Sequence, residues 1–194
     1  MNLVRYGNPG KEKPGLIDAD GKLRDLSAVV PDIGPGQLGD AALARLRKLK
    51  ADKLPLVKGS PRMGCPVAGV GKFVAIGLNY SDHAAEAGMP IPKGPIVFMK
   101  ATTCIQGPND PVMLPKGSVK TDWEVELAVI IGTRARYVPQ SKALDFVAGY
   151  AVCNDVSERE YQLERGPQWD KGKGCDTFGP VGPWLVTADE VPNP

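Results

Sequence analysis

The run from Thr121 to Gly132, Thr-Asp-Trp-Glu-Val-Glu-Leu-Ala-Val-Ile-Ile-Gly, constrains the fold more than any other stretch of the chain. Its residues favour strands. At a period of two they send Trp123, Val125, Leu127, Val129 and Ile131 to one face and Glu124, Glu126, Ala128 and Ile130 to the other. The two carboxylates therefore leave the same side of a strand that otherwise reads as core. Side by side they repel each other and lose hydration, a cost that a cation between them removes. A divalent metal held by Glu124 and Glu126 is the simplest such cation.

With 23 Gly and 19 Pro in 194 residues, helices must be short and turns frequent, so the expected fold is α+β and β-rich. A hydrophobic content of 42% is enough to fill a sizeable core. The 24 basic and 22 acidic residues are mixed along the chain, giving a net charge of +2 with no basic stripe interleaved with aromatics, so nucleic acid is not an expected partner. No apolar run reaches bilayer length, and the first residues lack the basic-then-apolar pattern of a signal peptide, so no membrane partner is expected and the cytoplasm is the expected location. The cysteines Cys65, Cys104, Cys153 and Cys175 are widely spaced without a Cys-x-x-Cys pair, which points to reduced thiols. A nucleophilic cysteine would need a base, and the single histidine, His83, lies elsewhere in the sequence.

Read in order, residues 3 to 27 form a small β-unit with a turn at Pro14-Gly15, a strand from Gly15 to Ala19, a hairpin at Asp20-Gly21 and a return over Lys22 to Leu26. Asp40 is placed to cap a helix through about Lys50, with Leu43, Leu46 and Leu49 on its apolar stripe. A Pro- and Gly-rich connection from Leu54 to Gly71 divides a small domain, 1–69, from a larger one, 70–194. The larger domain opens with a short buried strand over Lys72 to Gly77 and a helix capped by Ser81 or Asp82 and ended by Gly88 and Pro90.

In that helix His83 and Glu86 are three apart, so the acid can orient the imidazole and raise its basicity, although an exposed His–Glu pair has the same spacing. Lys100 ends the next apolar strand, either facing a site or snorkelling to the surface. A strand from Val147 ends in Asp155, well placed for a third oxygen ligand, though an Asn-Asp pair is also a common turn or cap. Ser157 to Gln162 reads as a polar helical turn, and Arg165 to Gly174 as a charged loop, a lid or simply exposed.

Several separated motifs coincide in order: Gly77-Leu-Asn-Tyr-Ser-Asp-His-Ala-Ala-Glu86, Asp122-Trp-Glu-Val-Glu-Leu127, Asn154-Asp155 with Arg159 and Gln162 after it, and Lys173-Gly-Cys-Asp-Thr-Phe-Gly-Pro-Val-Gly-Pro-Trp184. Together they resemble the fumarylacetoacetate hydrolase family. Leu3-Val-Arg-Tyr-Gly7 and Glu12-Lys-Pro-Gly15 resemble its branch acting on 2,4-diketo-3-deoxy sugar acids, of the acylpyruvate type.

The resemblance implies a small N-terminal β/α domain followed by a mixed β-sandwich roll, assembled as a homodimer. It implies that Glu124, Glu126 and Asp155 bind Mg2+ or Mn2+, that His83 and Glu86 activate water, and that Lys173, with Arg159 and Gln162, holds the substrate and stabilises an enolate. The reaction it implies is metal-dependent hydrolysis of a carbon–carbon bond in a small 2,4-diketo acid, yielding pyruvate and a carboxylic acid. The same chemistry serves isomerases, decarboxylases and hydratases of 2-oxo-diene acids, and ureidoglycolate lyase is another label such sequences attract. Family domains continue past the position of Pro194 with further strands and a Thr-Gly-Thr-Pro-type loop. The roll is thus expected to be incomplete at its C-terminal end, which makes an inactive metal-binding fragment the alternative from another class.

Overall fold

The computed structural model describes every residue except Ala87. Strands β1 (Asn2–Tyr6), β2 (Lys13–Ile17) and β3 (Leu23–Asp25) form an antiparallel meander. The Asp20-Gly21 hairpin is where the sequence places it, with Gly21 at φ 74°. Pro14 and Gly15 form no turn: both are buried in β2, opposite Arg5 and Val4. Pro14 lies past the end of the β2–β3 ladder, where its missing N–H leaves no bond unmade. At Gly15 a side chain would meet the Arg24 carbonyl at 2.9 Å, so the close approach of β3 requires glycine.

Helix α1 (Asp40–Arg47) is entered from an extended Gly39 with no side-chain cap, so Asp40 is its first residue rather than its cap. The acid at that end and Arg45 and Arg47 at the other complement the helix dipole. Leu43 and Leu46 are buried in a core that also takes in Leu3, Leu16, Leu26, Ile33, Ala148, Cys153, Val181 and Leu185.

The remaining elements are β4 (Phe73–Gly77), α2 (Ser81–Glu86), β5 (Ile96–Lys100), β6 (Ile105–Gln106), β7 (Thr121–Asp122), β8 (Val125–Ile131), β9 (Val147–Asn154), β10 (Ser157–Glu158), α3 (Asp170–Lys173) and β11 (Gly179–Thr187). One sheet runs β3-β2-β1-β11-β9-β8, with β6 added parallel to β11, so strands from before and after residue 70 share one sheet. Two small antiparallel pairs, β4–β5 and β7–β10, stand apart from it. The fold is a strand-rich α+β arrangement, as the glycine and proline content requires.

The glutamate strand differs from expectation in two respects. It breaks at Trp123–Glu124, because Thr121–Asp122 pairs with β10 while Val125–Ile131 pairs with β9. Its alternation holds, but Val125, Leu127, Val129 and Ile131 are exposed and Ala128 and Ile130 pack on the core. The β4–β5 pair is likewise open on one side, at Val74, Ile76, Val97 and Met99, so β4 is not the buried strand its composition suggests. Residues 157 and 158 are strand rather than helix, both fully buried, and a wide helical turn follows at Glu160–Glu164.

Candidate active site

The site begins where β8 starts and β9 ends. The Asp155 N–H donates to the Glu124 carbonyl at 2.8 Å, and the Glu124 N–H donates to Asn154 Oδ1 at 3.1 Å. These two bonds hold the Glu124 and Asp155 carboxylates together. Glu126 lies two residues on, within β8, and lines the same cavity as Glu124.

Three cations meet these acids. Lys173 Nζ donates to Glu124 Oε2 at 2.7 Å and to Asp155 Oδ2 at 2.9 Å. Arg159 Nη1 lies 2.6 Å from Glu124 Oε1 and donates to Gln162 Oε1 at 3.2 Å, while its Nε and Nη2 donate to Asp122 Oδ2 at 3.1 and 2.9 Å. Lys100 Nζ lies 2.6 Å from Asp155 Oδ1 and donates to the carbonyls of Val156, at 3.2 Å, and Lys173, at 2.5 Å. Lys100 is 1% exposed, so it is neither snorkelling nor in solution. Its contact with Asp155 Oδ1 is ionic, for that buried oxygen accepts no aligned hydrogen bond.

Helix α3 delivers Lys173 because it sits hard against β10 and the turn after it. A side chain at Gly172 would lie 2.3 Å from the Glu158 carbonyl and 2.7 Å from the Gln162 nitrogen, so only glycine permits this approach. The segment expected to be a charged loop is thus partly helical, with Gly172 and Lys173 buried. Glu158 anchors the same corner. Burial pushes its carboxyl up, but hydrogen bonds from Ser118, the Lys120 and Glu160 N–H groups and Thr121 outweigh that and leave it below its usual range.

Glu126 has no such partner set. Burial raises its pKa first, and the neighbouring Glu124 and Asp155 raise it further, against partial relief from Lys173 and a hydrogen bond with Tyr80. The three acids together keep a demand for positive charge at this point.

A cavity of about 1330 Å3 opens over the cluster and is lined by Glu124, Glu126, Asp155, Arg159, Gln162, Lys173 and His83. Phe98 and Trp169 form an aromatic wall, their rings edge to face at 5.6 Å, and Trp169 packs where a side chain at Gly77 would be 2.7 Å away. Seven of the eight residues singled out from the sequence therefore share one cavity. Glu86 does not line it. His83, exposed on α2, donates its backbone N–H to Asp82 Oδ1 at 2.8 Å.

Among the described residues, no three His, Cys, Asp or Glu side chains converge on one point at metal-ligand spacing. The reason is visible in the contacts: an ammonium, that of Lys173, occupies the place between Glu124 and Asp155. The donor set nevertheless fits a hard divalent ion. Its donors are all carboxylate oxygens, two of them already share one cation, and Asp155 Oδ1 is buried without a hydrogen bond.

Sequence reasoning left Lys100 open and gave no role to Tyr80, Asp122, Phe98 or Trp169. The signal for Lys100 was a lysine closing an apolar strand. Tyr80 and Asp122 lie in the motifs that carry the resemblance, whereas Phe98 and Trp169 reach the site only through the packing of separate segments. The four cysteines are free thiols, and burial pushes Cys104 up to about 11 and Cys153 up to about 12, which makes them poor nucleophiles.

The β-rich frame thus gathers three carboxylates and three cations at one cavity. The model of the fumarylacetoacetate (FAA) hydrolase C-terminal domain matches residues 72–194, and the chain belongs to the fumarylacetoacetate hydrolase family. A Burkholderia multivorans protein, named only as a candidate hydrolase, is 67% identical over 194 residues, which is all of this chain and 69% of that protein. Among solved structures, the fumarylacetoacetate hydrolase of Exiguobacterium antarcticum aligns with a TM-score of 0.77 at 31% identity, over 97% of this chain and 67% of that one. A 2-hydroxyhepta-2,4-diene-1,7-dioate isomerase from Mycobacterium marinum aligns with a TM-score of 0.69 at 31% identity, over 96% of this chain and 66% of that one. No helix among the described residues is long and apolar enough to cross a membrane.

Proposed function

We propose that this site hydrolyses a carbon–carbon bond of a small 2,4-diketo acid, releasing pyruvate and a carboxylic acid. The observation that carries the reading is the bridge from Lys173 to Glu124 and Asp155 inside a cavity that also presents Arg159, Gln162 and His83. A Mg2+ or Mn2+ ion held by Glu124, Glu126 and Asp155 would supply Lewis-acid stabilisation at the 2-oxo acid end of the substrate.

The protein's own groups account for the rest. His83, on the cavity side of α2, takes a proton from a water molecule whose oxygen bonds to the distal carbonyl carbon. Glu86, three residues on, stabilises the imidazolium. The bond between that carbon and its neighbour then breaks, its electron pair passing into the pyruvate enolate, which is finally protonated on carbon. Arg159, Gln162 and Lys173 donate to the oxygens on which negative charge grows.

Pyruvate release from a panel of acylpyruvates and 2,4-diketo-3-deoxy sugar acids, with Mg2+ and then with EDTA, tests the reading. Metal-dependent release supports it. His83→Ala should lower kcat by roughly 100- to 10,000-fold while leaving metal binding intact. The likeness to an isomerase favours a second reading, in which the same acids and cations stabilise an enolate that is only reprotonated. In that case a 2-oxo-diene acid would be interconverted with no pyruvate formed.

A further inference from the structure

We infer that Lys173 is a displaceable cation that couples metal uptake to the binding of an anionic substrate. The inference rests on the metal reading above and concerns what this chain's own side chains do when the ion arrives. Lys173 Nζ donates to one oxygen of Glu124 and one of Asp155, at 2.7 and 2.9 Å, and the residue is 2% exposed. It stands where a cation shared by these two acids must stand.

A divalent ion held by the same carboxylates would compete for the oxygens that Lys173 Nζ now occupies, bringing positive charges close together at the floor of the cavity. At that range like charges exclude one another. Lys173 has to release both acids.

The structure also shows where the ammonium can go. Lys173 carries its charge on a flexible four-carbon stem, and its Nζ is already 5.1 Å from the centre of the Phe98 ring, a face that attracts cations. Swinging outward along Phe98 leaves it in the cavity, beside Arg159 and Gln162. Lys100 cannot play this part, because its carbonyl bonds to Val156 and Lys173 pin it beneath the site. Nor is Arg159 suited to it, since two of its nitrogens are held by Asp122.

The charge count gives the coupling its sign. Asp122, Glu124, Glu126 and Asp155 are gathered with Lys100, Lys173 and Arg159, so the cluster keeps one negative charge in excess with Lys173 in place. A divalent ion adds two positive charges and turns the released ammonium toward the cavity. The loaded site therefore turns net positive and favours an anion such as a 2-oxo acid. Metal and anion each strengthen the other by the same factor.

The test is Mn2+ binding by calorimetry to the full chain, with and without saturating pyruvate, for wild type and Lys173→Met. Pyruvate should tighten Mn2+ binding to the wild type by about 5- to 150-fold. Lys173→Met should bind Mn2+ about tenfold more tightly than wild type in the absence of pyruvate and should lose most of the coupling, on the scale of a typical coupling factor. A lysine that merely supports the fold would produce the opposite sign.

Should the variant fail to fold, amine labelling of the wild type read by peptide mass spectrometry decides the matter. Lys173 should be protected without metal, labelled with Mn2+, and protected again when pyruvate is added. Unchanged labelling, or a variant that binds Mn2+ no more tightly than wild type, overturns the displacement while leaving the metal site standing. No Mn2+ binding to folded wild type, with or without pyruvate, overturns the metal reading and this inference with it.

Discussion

Two clusters of opposed charge sit in this molecule, and they are built differently. In the first, Arg62 grips Asp110 with two nitrogens, at 2.6 and 2.5 Å, and reaches Glu12 at 2.9 Å and the Gly7 carbonyl at 3.0 Å, while Arg5 grips both oxygens of Asp32 at 2.7 and 3.1 Å. The second is the Lys173 cluster, where two of the three cations are lysines and one buried carboxylate oxygen lacks an aligned hydrogen bond. A guanidinium fork matches a carboxylate plane and fixes its direction, whereas an ammonium is a point charge that can be exchanged for another cation. The first cluster ties the N-terminal strands to the loop after β6 and is suited to holding still. The second is suited to exchange.

The largest test of this contrast is Lys100→Met. It leaves the Asp155 carboxylate buried beside one cation fewer and should cost about 3–5 kcal/mol in urea unfolding. Lys100→Met combined with Asp155→Leu should recover most of that loss and abolish Mn2+ binding, because a buried pair replaced by packed apolar groups is close to neutral. A cost below about 1 kcal/mol for the single variant would show that Lys100 is not part of a buried ion cluster.

Arg62→Met should cost about 2 kcal/mol, the scale of hydrogen bonds to charged groups, with no change in metal affinity. Its failure to destabilise would remove the distinction between a structural and an exchangeable cluster. The acid limb of stability sharpens the point. The Arg62 guanidinium holds the Asp110 carboxyl below its ordinary value of 3.8, so this contribution is complete above that pH and is lost as pH falls through the lower, folded value. Urea midpoints measured from pH 7 down to pH 3 should therefore fall less steeply at the acid end in Arg62→Met than in wild type. Smallest of all, Glu164→Gln removes the exposed partner of Lys120 and should leave the urea midpoint unchanged within measurement error.

Much of the candidate site was legible in the chain because its signals are local. Two glutamates at a strand period of two must share a face, and an aspartate at a strand end is available to a neighbouring strand. Hence Glu124 and Glu126 were singled out from their period, Asp155 was one of two readings of a strand end, and motif order brought in Arg159, Gln162 and Lys173. Helical spacing left the pairing of His83 with Glu86 open, and the family resemblance implied it. The structure puts His83 on the cavity lining and leaves Glu86 off it.

Other readings went astray where a partner strand overrides local preference. Pro14-Gly15 has the composition of a turn, yet β1 pairs with it and keeps it extended. Val125, Leu127, Val129 and Ile131 have the composition of core, but alternation says only that two faces differ, and the sheet's packing decides which one meets the interior.

By itself, then, the sequence determined the strand-rich fold class, the hairpin at Gly21, the short helices and which acids share a face, because φ/ψ preference and side-chain period act over a few residues. Only the tertiary structure decided that Lys100 lies beneath Asp155, that Gly172 lets α3 press Lys173 between two carboxylates, and that Phe98 and Trp169 wall the same cavity. The side-chain contacts among these join residues from 18 to 71 positions apart. Their energies depend on distance and burial in three dimensions, which no local pattern carries.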